Sequence, residues 1–558
     1  MQNPLLKNHR LLLFYVGWCL INIIQAGTTE LLDDEAYYWL YSRFLDWGYF
    51  DHPPMVAALI KSGYSIFHNE LGVRIMMELL NTATIYIIQQ LTYKKDDRLF
   101  YAIATSVAVA QIGGILAAPD IPLLFFVSLF FWQYQQFLQK MNFTNALLLG
   151  VCMACMLYSK YHGVLIIGFT LLSNLKLFTK RYAYLAGIIC LLLFMPHLYW
   201  QFNHNFPSVQ YHLFERNASH YKFSYTTEYL LGQIAFAGPL MGWFLLWCAF
   251  RYRPFTFGER AMVYSLVGVY AVFLISTYKG RVEANWTVAA FIPLMVLSHR
   301  YMIQHYQIQK WLYRSIPVSL VLILLVRLYL MSWFPPVSWI QRSELHGNKV
   351  WTGNLKQKAG VLPVVFVDTY QRASKYWFYT GTPAFSMNSP FYRRNNFNMW
   401  PIEDSLIGKA VYLDAPDNCD FYRNLFKPYG WVFPQDGAVP RFFSFSRVLF
   451  FNINSAVLQE RTVQLNTRVT TPENYRSLFQ QSAYSETPIW LVLYQNDDVK
   501  AFVNTGSTVK KITGDHLQLT VNISYKLPAG DYAARLCIGS CIPGFPTINS
   551  TEFEFNIQ

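Results

Sequence analysis

The sequence predicts a polytopic α-helical membrane protein followed by a C-terminal domain with α/β and β-rich parts. Hydrophobic residues make up 53% of the 558 residues and charged residues only 14%, and the long apolar runs all lie before residue 336. Soluble domains usually contain about 25% charged residues. Aromatic residues reach 18%, and Trp and Tyr are enriched where helices leave a bilayer.

The chain is basic, with 45 Lys and Arg against 32 Asp and Glu, which gives a net charge of +13. In a soluble protein, this charge would suggest nucleic-acid binding. No basic stripe with the pattern of a nucleic-acid-binding fold accompanies it, and membrane proteins accumulate Lys and Arg in cytoplasmic loops. We therefore expect a membrane-bound protein without a nucleic-acid partner.

The apolar runs predict about eleven transmembrane helices. They lie at 11–27, 73–93, 99–117, 119–139, 143–158, 161–177, 182–199, 229–250, 259–278, 284–301 and 312–333. Several are shorter than the ~20 residues of a full span. With a cytoplasmic N-terminus, the cytoplasmic loops hold roughly twice as many Lys and Arg as the outer loops, which favours this orientation. An odd number of spans then places the C-terminal region outside.

The C-terminal region is expected to contain two segments. In the first, at 336–440, Leu362–Asp368 has the pattern of a buried strand and Tyr370–Tyr379 that of a following helix, which indicates an α/β unit. In the second, at 441–558, short alternating runs separated by turn residues are typical of a β-sandwich. The expected division is therefore a membrane domain at 1–335 and extracytoplasmic segments at 336–440 and 441–558.

The first outer loop is rich in acids and aromatic residues. Asp34 and Glu35, preceded by Asp33, stand where the first span ends, and Tyr37 and Tyr38 follow them. Acids at the start of a helix cap it and complement its dipole, which explains one acid better than three. The aromatic side chains either stack on a sugar or form an interfacial belt, and the sequence favours neither.

Further charges lie in other predicted outer loops, so the topology places them at the same membrane surface. They are Asp120, Lys160, Lys279, Arg281 and Glu283. Charges near a bilayer are costly unless they are paired or used in function. The alternative is that these are ordinary loop charges that pair with one another.

Two predicted spans contain charged residues. Arg74 and Glu78 are four residues apart in one span and are expected to pair. Arg327 lies in the outer half of the last span, where extension of the side chain to the interface explains it more simply than contact with a lipid phosphate.

An acid and several cations at one outer surface fit the transfer of a sugar from a polyprenyl-phosphate carrier. A carboxylate can take the proton of an acceptor hydroxyl, and Lys and Arg can stabilise the departing phosphate. The first alternative is a transporter or flippase of a lipid-linked sugar, which should show repeat symmetry. The second is a sensor whose spans act only as an anchor.

Several motifs resemble a known family. Asp34-Glu-Ala-Tyr-Tyr-Trp and Tyr49-Phe-Asp-His-Pro-Pro are similar to motifs of the bacterial dolichyl-phosphate-mannose-protein mannosyltransferase-like family, which are GT-C membrane glycosyltransferases related to lipid A aminoarabinose transferases. Ala118-Pro-Asp-Ile-Pro-Leu, Ser159-Lys-Tyr-His-Gly and Glu283-Ala-Asn-Trp follow in the family's order. The resemblance covers about residues 10–330 and implies a GT-C fold.

The resemblance implies roles for individual residues. Asp34 would be the general base, Glu35 would support it, and Asp120 would be a second acid near the reacting sugar. The donor phosphate would be bound by Lys160, Lys279, Arg281 and His52, the last standing where aminoarabinose transferases have Lys. The substrate-contacting residues would be Tyr37, Tyr38, Asp51, Tyr161 and Glu283.

The resemblance also implies an enzyme of the bacterial inner membrane with its active site in the periplasm. It would move a sugar from a polyprenyl-phosphate donor to a lipid, glycan or protein acceptor and invert the anomeric centre. This displacement requires no cofactor. A divalent metal held by Asp34, Glu35 and Asp120 is the open alternative, since carboxylates are its usual ligands.

Overall fold

The computed structural model of the chain describes residues 4–557, apart from 112, 217–219, 239, 333, 335–343, 416–435, 460, 497 and 525–526. The chain forms two compact units. The first comprises Met1–Ser208 and His220–His346, and the second comprises Val209–Ser219 and Gly347–Gln558.

The first unit is built from helices. In chain order they are α1 (Pro4–Thr28), α2 (Asp33–Arg43), α3 (Met55–Tyr64), α4 (Glu70–Leu91), α5 (Asp97–Ser106), α6 (Ala108–Gln111), α7 (Asp120–Gln139), α8 (Phe143–Ser159), α9 (Gly163–Ser173), α10 (Arg181–Asn203), α11 (Pro207–Gln210, which continues into the second unit), α12 (Phe223–Ala237), α13 (Gly242–Arg251), α14 (Phe257–Ser276), α15 (Phe291–Gln304) and α16 (Tyr306–Met331). Short 3₁₀ turns at Gly113–Ile115, Leu175–Thr179 and Ala284–Ala290 link some of them.

The helices confirm a multi-pass membrane protein. Within the described residues, seven helical segments are long and apolar enough to cross a bilayer, and α12 with α13, bent by 93°, would make an eighth. The helices α8 and α9 are apolar but shorter. The predicted span at 99–117 is instead broken, because α5 ends at Ser106 and the extended residue Val107 separates it from the four-residue α6. The count of eleven spans stays a prediction.

The buried centre of this unit is formed by helices that pack side by side. Helix α7 packs against α4 and α8, α8 packs against α10, and α9 packs against α14. Residues Phe291–Arg300 of α15 are all buried, as expected for a helix enclosed by others on every side.

Arg327 does not extend to the membrane interface, so that expectation is wrong. Its guanidinium is buried and donates to Asn22 Oδ1 at 2.7 Å and to Gln25 Oε1 at 3.1 Å, both on α1. It also donates to the backbone oxygen of Gln111 at 2.6 Å. These internal acceptors replace the interfacial water that the side chain would otherwise seek, and they tie α16 to α1 and α6.

The second unit contains the α/β and β-rich parts. Its helices are α17 (Asn348–Ala359), α18 (Tyr370–Thr380) and α19 (Glu473–Leu478). Its strands are β1 (Val364–Val367), β2 (Ala384–Met387), β3 (Val411–Asp414), β4 (Gly437–Val439), β5 (Leu449–Gln459), β6 (Thr462–Thr470), β7 (Pro488–Gln495), β8 (Asp498–Thr508), β9 (His516–Asn522), β10 (Gly530–Ile538), β11 (Thr547–Ile548) and β12 (Phe553–Ile557).

These strands form three sheets, which confirms the predicted mixture. The first has the order β2-β1-β3-β4, with β1 parallel to β2 and β3, and α18 connects β1 to β2. The other two are antiparallel: β11-β10-β7-β8 with β12 beside β10, and β5-β6-β9. Phe450, Leu465, Leu491 and Leu536 belong to the core that the antiparallel sheets share. The boundary near 335 lies outside the described residues, and the division at 440 stays a prediction.

Candidate active site

A buried ion pair fixes the first turn of α2. Arg74 of α4 donates through Nε to Glu35 Oε1 at 2.7 Å and through Nη2 to Glu35 Oε2 at 2.5 Å. Both side chains are almost completely buried. Glu35 Oε2 also accepts from the backbone N of Leu32 at 2.9 Å. A bidentate Arg–carboxylate pair adds geometric precision to its charge, so the orientation of this turn is well defined.

Arg74 also binds the end of α1. Its Nη1 donates to the backbone oxygens of Ala26 and Thr29 at 2.9 and 2.6 Å, and its Nη2 donates to that of Glu30 at 2.9 Å. The last carbonyls of a helix have no partner within the helix, and basic side chains often satisfy them. One guanidinium therefore joins α1, α2 and α4.

The predicted pair between Arg74 and Glu78 is wrong. Among the described residues, neither carboxylate oxygen of Glu78 has a hydrogen-bond partner. The group lies within electrostatic range of both Arg74 and Arg327. The i,i+4 rule applies to exposed helix faces, whereas this face is buried and Arg74 reaches a closer partner on α2.

Asp34 occupies the second position of α2, next to the buried Glu35, and is exposed. The fixed neighbour holds its backbone in place while the carboxylate stays accessible. Asp33, Asp34 and Glu35 all lie in the first helical turn, where the helix dipole favours negative charge.

A second ion pair joins two of the predicted outer loops. Lys160 Nζ, just after α8, lies 2.7 Å from Asp120 Oδ1 at the start of α7. Asn285 Nδ2 donates to the other oxygen, Asp120 Oδ2, at 3.1 Å. The three sequence blocks around residues 120, 160 and 285 therefore meet at one carboxylate. The motif that begins at Glu283 includes Asn285, but its sequence did not indicate that this amide contacts Asp120.

The two ion pairs are neighbours. Glu35 Oε1 accepts a hydrogen bond from the backbone N of Ala117 at 2.7 Å. Ala117 precedes Asp120 by three residues, and three residues of chain reach at most about 11 Å. The first turn of α2 and the pair Asp120–Lys160 are therefore parts of one polar region.

A third group of contacts holds the loop between α2 and α3. The hydroxyl of Tyr41 donates to Asp51 Oδ1, and both side chains are buried. Burial raises the pKa of Tyr41 well above its usual value, and the neighbouring carboxylate of Asp51 raises it further. Tyr41 thus stays a neutral donor, and Asp51 is engaged inside the protein rather than open to solvent.

The end of α10 supports this loop through residues that the sequence analysis missed. His197 Nδ1 is 2.7 Å from the backbone oxygen of Trp47, and its Nε2 is 3.0 Å from the hydroxyl of Tyr161. Gln201 Nε2 donates to the same hydroxyl at 3.0 Å and to Ser208 Oγ at 2.7 Å. The sequence signal that could have identified them is the presence of polar residues, three and four positions apart, in an otherwise apolar helix.

Gly48 allows close packing at this point. A Cβ atom at residue 48 would lie 2.4 Å from the ring of Trp200. The same indole donates from Nε1 to Asp46 Oδ2 at 2.8 Å. The loop therefore needs a residue without a side chain here.

The aromatic candidates pack within the protein. Tyr37 is 1% exposed and Tyr38 7%, and the Tyr37 ring meets that of Tyr41 edge-on at 4.9 Å. Both rings are thus buried among protein groups, and their contact with substrate stays a prediction. The half-buried His52 meets the Tyr38 ring edge-on at 5.4 Å.

The basic residues of the loop after α14 are exposed. Arg281 lies 3.5 Å from Glu228 and 3.7 Å from Glu283, with 65% of its own side chain exposed. Exposed pairs of this kind contribute little stability. Lys279 is also exposed. Among the described residues, no hydrogen bond or ion pair joins Lys279 or Arg281 to Asp120 or Lys160.

The carboxylates do not form a metal site as they are arranged. Glu35 is neutralised by Arg74, and Asp120 by Lys160. No group of three His, Cys, Asp or Glu side chains within the described ranges could hold a metal ion. The open alternative of a metal on Asp34, Glu35 and Asp120 therefore does not fit this geometry.

Comparison with known proteins agrees with these motifs. Residues 51–200 match the profile of the family described as dolichyl-phosphate-mannose-protein mannosyltransferase. ArnT from Cupriavidus metallidurans in the apo state matches with a TM-score of 0.55 and 14% identity, over 78% of this chain and 98% of that chain. The chain is therefore similar to this family and to ArnT over the stated ranges, and its fold matches that of ArnT.

One further structure and one further protein are similar to this chain. ArnT bound to undecaprenyl phosphate gives a TM-score of 0.54 at 15% identity, over 77% of this chain and 97% of that chain. Lipid A galacturonosyltransferase RgtD of Rhizobium johnstonii is 22% identical over 307 residues, which is 51% of this chain and 64% of the relative. The GT-C fold and the resemblance predicted from the motifs are thereby confirmed.

Proposed function

We propose that the protein transfers a sugar from a polyprenyl-phosphate donor to an acceptor hydroxyl, with Asp34 as general base. The proposal rests on one observation: an exposed carboxylate stands next to a residue whose side chain is fixed by an ion pair. Asp34 is accessible, while the adjacent Glu35 is held by Arg74 and bonded to the loop that leads to Asp120. A base must be both reachable and precisely placed.

The reaction follows as a single displacement. Asp34 accepts the proton of the acceptor hydroxyl, and the hydroxyl oxygen forms a bond to the anomeric carbon. The bond between that carbon and the phosphate oxygen breaks, and the electron pair leaves with the lipid phosphate. Attack from the face opposite the leaving group inverts the anomeric centre. Glu35 acts as a positioning residue, because both its oxygens are already engaged.

Lys160 is the strongest candidate for contact with the departing phosphate. Its ammonium is held at a defined place by Asp120, which in turn is fixed by Asn285. We therefore assign Asp120 the role of positioning Lys160 rather than that of a second acid. Lys279 and Arg281 are exposed and can approach a bound phosphate, and His52 remains a further candidate, since a neutral or charged imidazole can donate to an oxyanion.

The relatives support the substrate classes. ArnT was solved with undecaprenyl phosphate, and RgtD is a lipid A galacturonosyltransferase. A polyprenyl-phosphate sugar is therefore the proposed donor, and a lipid of the lipid A type is the favoured acceptor among lipids, glycans and proteins. The proposed location is the bacterial inner membrane, with the site and the second unit in the periplasm.

The test is donor turnover by the purified protein. Undecaprenyl-phosphate hexoses, pentoses and uronic acids would be supplied with lipid A, and free undecaprenyl phosphate would be measured. We expect release with at least one donor, and no loss of rate with a chelator. Lys160→Gln should raise the donor KM, because a phosphate contact is lost, by roughly tenfold or more for a charged hydrogen bond.

The matched control is Lys61→Gln, which removes an exposed lysine of α3. It should leave the donor KM unchanged. If no donor releases undecaprenyl phosphate in an acceptor-dependent reaction, the proposed transfer is contradicted. If the donor KM of Lys160→Gln equals that of wild type, only the role of Lys160 is contradicted.

A further inference from the structure

The three-stranded sheet of the second unit has one face that the described part of the chain leaves exposed. In the five-stranded sheet, by contrast, consecutive residues Leu491, Val492 and Leu493 of β7 are all completely buried. Tyr494 there donates to the backbone oxygen of Pro390 at 2.8 Å, so the α/β part covers that sheet. Strand β6 instead alternates between buried and exposed residues, which indicates a face open to solvent.

Three side-chain amides form a row across this open face. Asn454 of β5 is paired in register with Asn466 of β6, and Asn466 is paired with Gln518 of β9. All three are exposed. Residues opposite each other in an antiparallel sheet point to the same side, and two strand spacings give the row a length of about 10 Å.

A neighbouring row adds an aromatic ring, a cation and an imidazole. Phe451 is paired with Arg468, and Arg468 with His516. Phe451 is half-buried, whereas Arg468 and His516 are exposed. Between the two rows, β5 carries an irregularity at Phe451–Asn454, and Asn452 has a φ of 51°. Such bulges bend a strand and redirect its side chains.

The bend leaves a concavity over the amide row. It has a volume of ≈ 770 Å³ and is lined by Asn452, Asn454, Asn466, Arg468, His516 and Gln518, among others. Volumes of this order are typical of ligand sites. Among the described residues, the side chains of Asn454, Asn466, Arg468, His516 and Gln518 make no hydrogen bond or ion pair with the protein. Their donors and acceptors are therefore available to a ligand.

We propose that this face binds a glycan chain. Each amide offers a donor and an acceptor side by side, which suits the adjacent hydroxyl groups of a sugar ring. Arg468 and His516 add further hydrogen-bond donors beside the amide row. The ring of Phe451 supplies an apolar surface at the edge of the site. A row that crosses three strands suits an oligosaccharide rather than one sugar. The residues of this face belong to the second unit and have no part in the proposed transfer, so its occupancy does not depend on that reaction.

The test uses the full-length protein in detergent and four soluble probes: tetrasaccharides of glucose, galactose, mannose and N-acetylglucosamine. Binding would be measured by saturation-transfer NMR and by calorimetry. We expect saturable binding of at least one probe with a Kd of about 1 mM or tighter, an affinity typical of a few hydrogen bonds. The Asn466→Ala/Gln518→Ala variant should weaken it by roughly tenfold or more.

The matched control is Asn474→Ala/Gln481→Ala, which removes the same two side-chain types from exposed positions of the same unit that belong to neither row and do not line the concavity. It should bind as wild type does. Binding should also persist in Asp34→Asn, which separates this proposal from the proposed transfer. The proposal is overturned if none of the four probes binds saturably. It is also overturned if wild type and the Asn466→Ala/Gln518→Ala variant bind with equal affinity.

Discussion

At the scale of single residues, the position of the candidate base depends on Arg74. This side chain makes five hydrogen bonds to α1, the residues after it and Glu35. An arginine with so many acceptors is fully satisfied although it is buried, so its charge is paired rather than exposed to lipid. Asp34 is the exposed neighbour of the residue that this arginine fixes.

Arg74→Gln should destabilise the protein strongly. The substitution leaves the carboxylate of Glu35 buried without its partner, and breaking a buried pair in this way costs about 3–5 kcal/mol. The measurement is thermal unfolding in detergent, with the exposed Arg43→Gln as the control. A transition temperature of Arg74→Gln equal to that of wild type would show that the pair does not support the fold.

The sequence identified the acids of α2 but not their partner. The local rule assigned Arg74 to Glu78, because contacts four residues apart can be recognised from sequence. The true partner Glu35 is 39 residues away, and no local pattern encodes that distance. The same limit applies to Arg327, whose partners on α1 lie about three hundred residues earlier.

At the scale of elements, the loop between α2 and α3 is held by the end of α10. Contacts run from His197 to Trp47 and from Trp200 to Asp46, and Gly48 lies beneath the indole. The loop carries Asp51 and His52, so α10 determines where these two residues lie. The polar blocks in this loop were recognisable from charge and motif, and their outer location stays a prediction, whereas the support of the loop by α10 required the tertiary structure.

Gly48→Ala should therefore destabilise this loop. The added Cβ overlaps the Trp200 ring, and overpacking of this kind typically costs about 1–3 kcal/mol. Gly17→Ala is the matched control, because a Cβ there meets no atom within 4 Å and should be tolerated. Thermal unfolding of both variants would compare them, and equal stability of Gly48→Ala and wild type would show that the close approach is absent.

The number of spans stays a prediction at this scale. Apolar composition alone does not distinguish a straight span from two short helices, because both contain the same kinds of apolar residue. The break at Val107 and the bend between α12 and α13 depend on backbone conformation. The α/β and β-rich character of the tail was predictable, because strand alternation and turn residues are local signals.

At the scale of the whole molecule, the proposal requires the second unit and the outer loops to lie on the same side of the membrane. The bias of Lys and Arg toward the predicted cytoplasmic loops supports this orientation. A C-terminal fusion to alkaline phosphatase, which is active only outside the cytoplasm, should therefore be active in cells. Activity of a cytoplasmic reporter at the same position, with a silent phosphatase, would reverse the topology.

The central claim is that Asp34 is the base of a sugar transfer from a lipid phosphate. The most direct test is the rate of undecaprenyl-phosphate release by Asp34→Asn, with Asp33→Asn as the neighbouring control. The substitution keeps the size of the side chain but removes the proton acceptor, and the expected loss in kcat is about 10²–10⁴-fold, with Asp33→Asn retaining most activity. A wild-type rate in folded Asp34→Asn would contradict the account.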